Sequence, residues 1–182
     1  MSSGDRTATD FAPFVHAHSA SLFRTAVLLT RDRGAAEDLV QETFTRLYPV
    51  WSKVMQADAP FAYVRRSMLN TFLNSQRKKS GHELLYDRPP EIVGDPDPAV
   101  AVSDAELVRR LLDRLEPRPR AVLVLRFLHD LPDEQIATEL GIRRASVRSI
   151  ASRALRGLRT ELNASAAVVT RPSAAPTKGL ST

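Results

Sequence analysis

Between Arg143 and Arg159 the chain places six arginines and no acid. Guanidinium forks suit phosphate oxygens and guanine edges, so a helix made from this stretch could enter a major groove. Arg143, Arg144, Ser146, Arg148, Ser149 and Arg153 are the candidates for duplex contact, with Ser152 and Arg156 on the same outward surface. A second stripe, Tyr63, Arg66, Asn70, Asn74 and Arg77, recurs at steps of three or four, and no acid occurs from Phe61 to Lys79. Arg65, Lys78 and Lys79 add charge beside it. An aromatic ring, amides and cations together suit unpaired nucleic acid. The third candidate is acidic: Asp38, Gln41, Glu42 and Thr45 follow i, i+3, i+4, i+7 spacing and so share one helical face, with Leu39, Val40, Phe44 and Leu47 toward the other side. Such a face docks a basic partner or simply meets solvent, and each basic face also fits the solvated surface of a generic helical bundle.

Catalytic chemistry finds little to work with. His16 and His18 are two apart and point away from each other on a helix, while His82 and His129 lie outside any metal or triad spacing. Asp38 and Glu42 could share a cation, although a solvated pair is the simpler reading. With no Cys there is neither a disulfide nor a thiolate zinc site, and no Gly-rich loop offers to hold a phosphate. The expectation is therefore no catalytic residue, no metal, no cofactor and no small-molecule substrate.

Elements that could position these faces are helical throughout. The 182 residues suffice for one domain or two small ones, and 43% hydrophobic content is ample for a core. Phe11, Phe14, Val15, Leu22, Phe23 and Leu29 suit a first amphipathic helix, Gly34 interrupts, and a second helix runs through Leu39 and Leu47 to Trp51. Pro60 opens a third that ends near Lys79. From Ser80 to Asp104 the chain holds Pro89, Pro90, Pro96 and Pro98, and six acids face only Arg88, which reads as an extended linker. Ser103 and Glu106 have capping-box spacing, and Leu107, Val108, Leu111, Leu112 and Leu115 then line one face. Pro117 and Pro119 separate that helix from one starting near Arg120.

The last two helices, roughly Asp133 to Leu140 and Arg143 to Leu162, have the residues of a helix-turn-helix. Ala137 permits a close crossing, Gly141 takes the left-handed turn, and Val147 and Ile150 share a buried face with Ile136, Leu140 and Ile142. The expected fold class is thus all-α, with two small helical domains on a flexible acidic tether, the second holding the helix-turn-helix. The boundaries are 10–79, a linker at 80–102, 103–162, and a disordered tail at 163–182.

Net charge is +5, from 26 Lys+Arg against 21 Asp+Glu, which favours a polyanionic partner. Lysine occurs only at 53, 78, 79 and 178, and a GC-rich coding bias is the alternative reading of that arginine excess. The polar, acid-containing start is not a signal peptide, and the apolar runs are too short to span a bilayer, which suggests a cytoplasmic protein.

The stretch Asp38-Leu39-Val40-Gln41-Glu42-Thr43-Phe44 resembles the polymerase-binding motif of extracytoplasmic-function sigma factors in the sigma-70 family, closest to actinobacterial members. Tyr63-Val64 and Asn70 match the family's −10 reading helix, and Leu112 to Leu123 resembles the start of its −35-binding domain. The resemblance spans roughly Phe11 to Leu162. It departs at Tyr63 (often Trp), Leu69 (often Arg), Asn74 (often Asp) and Leu131-Pro132 (usually Leu-Ser), which bears on −10 preference.

The resemblance implies core RNA polymerase as partner, through the clamp helices of its largest subunit, with Asp38, Leu39, Gln41, Glu42 and Phe44 at the contact. It implies promoter DNA as the second partner, with Tyr63, Arg66, Asn70, Asn74 and Arg77 at −10. The −35 element would fall to Arg143, Arg144, Ser146, Arg148, Ser149 and Arg153. An anti-sigma factor is a further partner the resemblance admits, and nucleoid association would follow from holoenzyme formation. The competing readings are a helix-turn-helix regulator that needs no polymerase and, more remotely, a small enzyme.

Overall fold

A computed structural model describes residues 3–83 and 104–169, with side chains described for 10–78 and 106–163. Most of the expected linker (84–102), Ser103 of the expected capping box and residues 170–182 of the expected tail lie outside the described residues. In chain order the helices are α1 (Ser3–Thr30), α2 (Arg33–Leu47), a 3-10 turn (Tyr48–Val50), α3 (Trp51–Met55), α4 (Pro60–Glu83), α5 (Asp104–Asp113), α6 (Pro117–Phe127), α7 (Asp133–Leu140) and α8 (Arg144–Val169). Among the described residues there is no strand.

In the first unit α1 and α2 pair and α4 closes over them. Apolar positions at helical spacing supply the core, with Leu22, Leu29, Trp51, Met68, Leu69 and Phe72 almost fully buried. Phe11 pins the start of α1 by edge-on contacts to Phe44, Tyr48 and Trp51 at 5.7, 5.0 and 4.9 Å, the arrangement that ring quadrupoles favour. Two expected boundaries move. The break after α1 falls at Arg31, whose φ is +69°, and Asp32 caps α2 by accepting from the Ala35 N–H at 2.7 Å. Gly34 lies inside the first turn of α2 instead, where a Cβ would come within 3.3 Å of the capping carboxylate. Trp51 does not end α2 either. The 3-10 turn containing Pro49 intervenes, and Trp51 opens α3.

In the second unit Pro117 and Pro119 belong to the first turn of α6 rather than separating it from its predecessor, because the opening N–H groups of a helix have no partner to lose. The expected α5 face is only partly covered, since Leu112 is buried while Leu107 and Val108 are exposed. Glu106 is engaged by Arg109 and Arg110. Val108, Leu112, Phe127, Leu128 and Leu155 line an open apolar cleft of about 390 Å³. Helix α8 continues to Val169, so residues 163–169 are helix rather than tail.

The two units are packed together: α6 lies against α1 and α4, and α7 against α4. Arg120, buried, holds this junction by donating to backbone carbonyls only: Leu112 at 3.0 Å and Leu115 in its own unit, and Leu29 at 2.6 Å across the junction. Leu29 and Leu112 are at the ends of α1 and α5, where carbonyls lack helical partners and a cation is favoured. Burial lowers the Arg120 pKa to about 10, which leaves it charged at neutral pH.

Candidate nucleic-acid interface

The helix-turn-helix forms as its residue types require. Gly141 caps α7 in the left-handed region at φ +61°, and the Ile142 N–H reaches back to the Ala137 carbonyl at 3.0 Å, closing a Schellman turn. Ile136 and Val147 are fully buried, and Ile150 packs at the margin of the same core. That leaves Arg143, Arg144, Arg148, Ser149 and Arg153 exposed on one side of α8 and its leading turn, with Ser146 half-buried.

Arginines at the start of a helix oppose its dipole, at a typical cost of a few tenths of a kcal/mol (about 0.3–1). A phosphate drawn to the same N-terminus would reverse that sign. The acid-free run is not acid-free in space, however. Asp133 and Glu134 open α7 beside it, with Arg144 donating to Glu134 at 2.7 Å and Arg148 lying 3.8 Å from Asp133. Asp133 is also paired with Arg126. The recognition face is thus preset by weak acidic contacts that DNA would have to replace.

On α4 the stripe holds together. Tyr63, Arg66, Asn70, Asn74 and Arg77 are all exposed, Tyr63 at 37%, and Arg77 donates to Asn74. Arg65 is no part of the solvent-facing charge expected beside them. It is 5% exposed and paired with Glu139 of α7.

Helix α2 presents Asp38, Gln41, Glu42 and Thr45 around one shallow depression. Glu42 pairs with Arg46 one turn on. Leu39 and Phe44, expected at the same contact, lie at 6% and 9% exposure and pack into the core beneath that face. Their place in the motif is to seat α2.

Among the described residues no His, Asp or Glu cluster has metal-binding geometry, and no helix is long and apolar enough to cross a membrane. Sequence reasoning missed Arg65, Glu139 and His129 as a group. His129 meets Thr25 at 2.8 Å and Arg65 at 3.3 Å. Its pKa falls to about 4, first through burial and then through the charges of Arg65 and Arg24. The only local signal was an acid, Glu139, on the inner side of a short amphipathic helix.

Comparison with known proteins matches residues 14–82 to sigma-70 region 2 and residues 111–160 to sigma-70, region 4. The RNA polymerase sigma-E factor of Streptomyces coelicolor is 33% identical over 153 residues, covering 84% of this chain and 86% of that protein. The ECF RNA polymerase sigma factor SigE of Mycolicibacterium smegmatis is 31% identical over 171 residues, 87% of this chain and 64% of that protein. Among solved structures, the sigma factor RpoE in complex with the anti-sigma factor NepR from Bartonella quintana superposes with a TM-score of 0.69 at 21% identity. It covers 85% of this chain and 97% of its own. At that identity the likeness concerns the fold.

Proposed function

The chain belongs to the sigma-70 family, as an extracytoplasmic-function sigma factor of actinobacterial type, and from that premise we propose how its three faces divide the work of initiation. It is an alternative sigma factor, acting in promoter recognition and transcription initiation. Residues 10–79 bind core polymerase and the −10 element, and residues 103–162 bind −35. Asp38, Gln41 and Glu42 dock on the basic clamp helices of the largest subunit. Arg143, Arg144, Ser146, Arg148, Ser149 and Arg153 hold the −35 duplex. Tyr63, Arg66, Asn70, Asn74 and Arg77 capture unpaired −10 bases. Unpairing costs about a few kcal/mol, which stacking on Tyr63 and amide contacts from Asn70 and Asn74 help offset. RNA synthesis is left to the polymerase, and the chain contributes binding without a catalytic group or cofactor of its own. It works in the cytoplasm.

The observation that supports this division best is the pairing of a basic, exposed helix-turn-helix face on one unit with an acid-free aromatic and amide stripe on the other. A regulator that works without polymerase has no use for the second. The apolar cleft against α5 and α6 also suits a helix of an anti-sigma factor, the partner class seen with the structural neighbour.

Replacing Asp38 and Glu42 by Lys tests the docking face. Co-purification with core polymerase should be lost while helical circular dichroism persists, because both side chains are exposed and seat nothing in the core. Unchanged polymerase binding would remove α2 from the interface.

A further inference from the structure

Arg77 lies one helical turn beyond Asn74 on the exposed stripe of α4, and its Nη2 donates to the Asn74 Oδ1. A guanidinium carries N–H donors and no acceptor. The Asn74 carboxamide can therefore face Arg77 only through its oxygen, since the turned-over amide would set N–H against N–H. The two ends of an asparagine amide are nearly identical in shape, and only the surrounding hydrogen bonds tell them apart. Here the chemistry of the neighbour decides. The Nδ2 end, with its two N–H groups, is turned away from Arg77 and has no partner among the described residues.

Nothing near the pair pulls the amide the other way. No carboxylate occurs from Phe61 to Lys79, and the exposed charges at this end of the stripe, Arg77 and Lys78, are donors only. Asn70, one turn earlier and also exposed, makes no hydrogen bond among the described residues, so either end of its amide can turn outward. Two asparagines on one face thus differ in what they offer a ligand: Asn70 presents a donor or an acceptor, and Asn74 presents a donor.

We infer, on the −10 role proposed above, that Asn74 selects a keto base, thymine or guanine, at one unpaired position, and that Arg77 is the positioning residue that fixes its polarity. Thymine O4 and guanine O6 accept hydrogen bonds, whereas cytosine N4 and adenine N6 donate them. A base out of the stack is read on the pairing edge that carries these groups. The outward Nδ2 satisfies a keto oxygen and opposes an amino group, donor against donor. The ring nitrogen beside an amino group also accepts, so the selection is a bias of severalfold and not an exclusion. A carboxylate at position 74 would keep Arg77 on one oxygen and turn the other outward, which reverses the polarity without changing the size of the side chain.

The fixed amide is tested in the free full chain by nitrogen relaxation of the side-chain amides. Asn74 should be more rigid than Asn70, and Arg77→Ala should remove the difference. Equal mobility in the parent overturns the role of Arg77. Selection is tested with holoenzyme on a forked DNA pool, duplex followed by a randomised single strand, by sequencing the bound fraction. At one position thymine and guanine should exceed cytosine and adenine by about 3- to 10-fold, the worth of one hydrogen bond at about 1.4 kcal/mol per tenfold. With unchanged helical dichroism, Asn74→Asp should reverse the preference at that position alone. Arg77→Ala should weaken it, and Arg77→Lys, which keeps a donor-only neighbour, should retain most of it. Preferences unmoved by Asn74→Asp at every position overturn base selection by Asn74. Reversal in Asn74→Asp with full preference kept in Arg77→Ala overturns positioning by Arg77. Tyr63→Ala combined with Asn70→Ala tells these failures from failure of the −10 reading. Enrichment that this double change abolishes but Asn74→Asp leaves in place sinks the inference alone. Enrichment untouched by the double change, or absent from the parent, sinks the −10 reading and base selection with it.

Discussion

Arg148→Ala separates reading of sequence from holding of phosphate. The Arg148 side chain is 70% exposed, and its Nε lies 3.8 Å from Asp133 Oδ2. Exposed ion pairs are worth at most about 1 kcal/mol, and Asp133 is already engaged by Arg126 through its other oxygen. Releasing Arg148 toward DNA therefore costs about a few tenths of a kcal/mol. A bidentate contact to a guanine edge is worth about 1–3 kcal/mol. The net loss on truncation should be about 1–2.5 kcal/mol, or about 5- to 60-fold in affinity at about 1.4 kcal/mol per tenfold. Stability should change by no more than about 0.5 kcal/mol, because the side chain is 70% exposed and its one ion pair is a weak surface contact. The assay is holoenzyme binding to labelled promoter fragments in which each −35 base pair is exchanged in turn. Preference should relax at one position, with polymerase affinity unchanged. An equal loss on every sequence, with a shallower salt dependence, would refute base contact and make Arg148 a phosphate ligand. No loss on any sequence would take it out of the interface.

Other consequences follow from the same geometry. Replacing Tyr63 and Asn70 by Ala should reduce permanganate reactivity of −10 thymines in the polymerase complex more than −35 occupancy, since both side chains are exposed on the α4 stripe and neither belongs to the helix-turn-helix. Gly141→Ala should cost about 1–2 kcal/mol in chemical denaturation purely through backbone strain, because φ is +61° and a Cβ there would meet nothing within 4 Å. For His129 the folded-state pKa of about 4 lies below the ordinary 6.5, so between those values the unfolded chain binds more protons than the folded one. The stability of the packed form should be complete above pH 6.5 and decline as pH falls toward 4. The charges facing the ring are Arg24 and Arg65, with Glu139 behind Arg65. His129→Gln should flatten that decline in thermal melts, and an unaltered slope would place its origin elsewhere.

Local order in this chain is legible because its causes are local. Helical spacing of apolar residues decides which side of α2, α4 and α8 turns outward, so the three polar faces could be read before any tertiary contact was known. The same holds for the helix-turn-helix, where Ala137, Gly141 and Val147 meet steric demands within about twenty residues of one another. Proline was ambiguous for a local reason too: it breaks a helix interior and suits a first turn equally, and only the observed start of α6 at Pro117 settles which applies.

What stayed hidden depends on elements far apart in the chain. Arg65 and Arg66 are adjacent and identical in type, yet one is buried and the other faces solvent. A step of about 100° around α4 separates them, and nothing in the residues near position 65 announces an acid 74 positions later. Asp133 and Glu134 likewise stand outside the acid-free run that defines the recognition helix, and the turn at Gly141 folds them back beside Arg148 and Arg144. The sequence by itself determined the helices, their polar faces and the family, since periodicity and turn stereochemistry act over a few residues. Tertiary structure alone decided that the two units pack against each other and that Arg65, Glu139, His129 and Arg120 are buried at the junction, because burial of a charge is settled by the partner that arrives and not by the segment that supplies it.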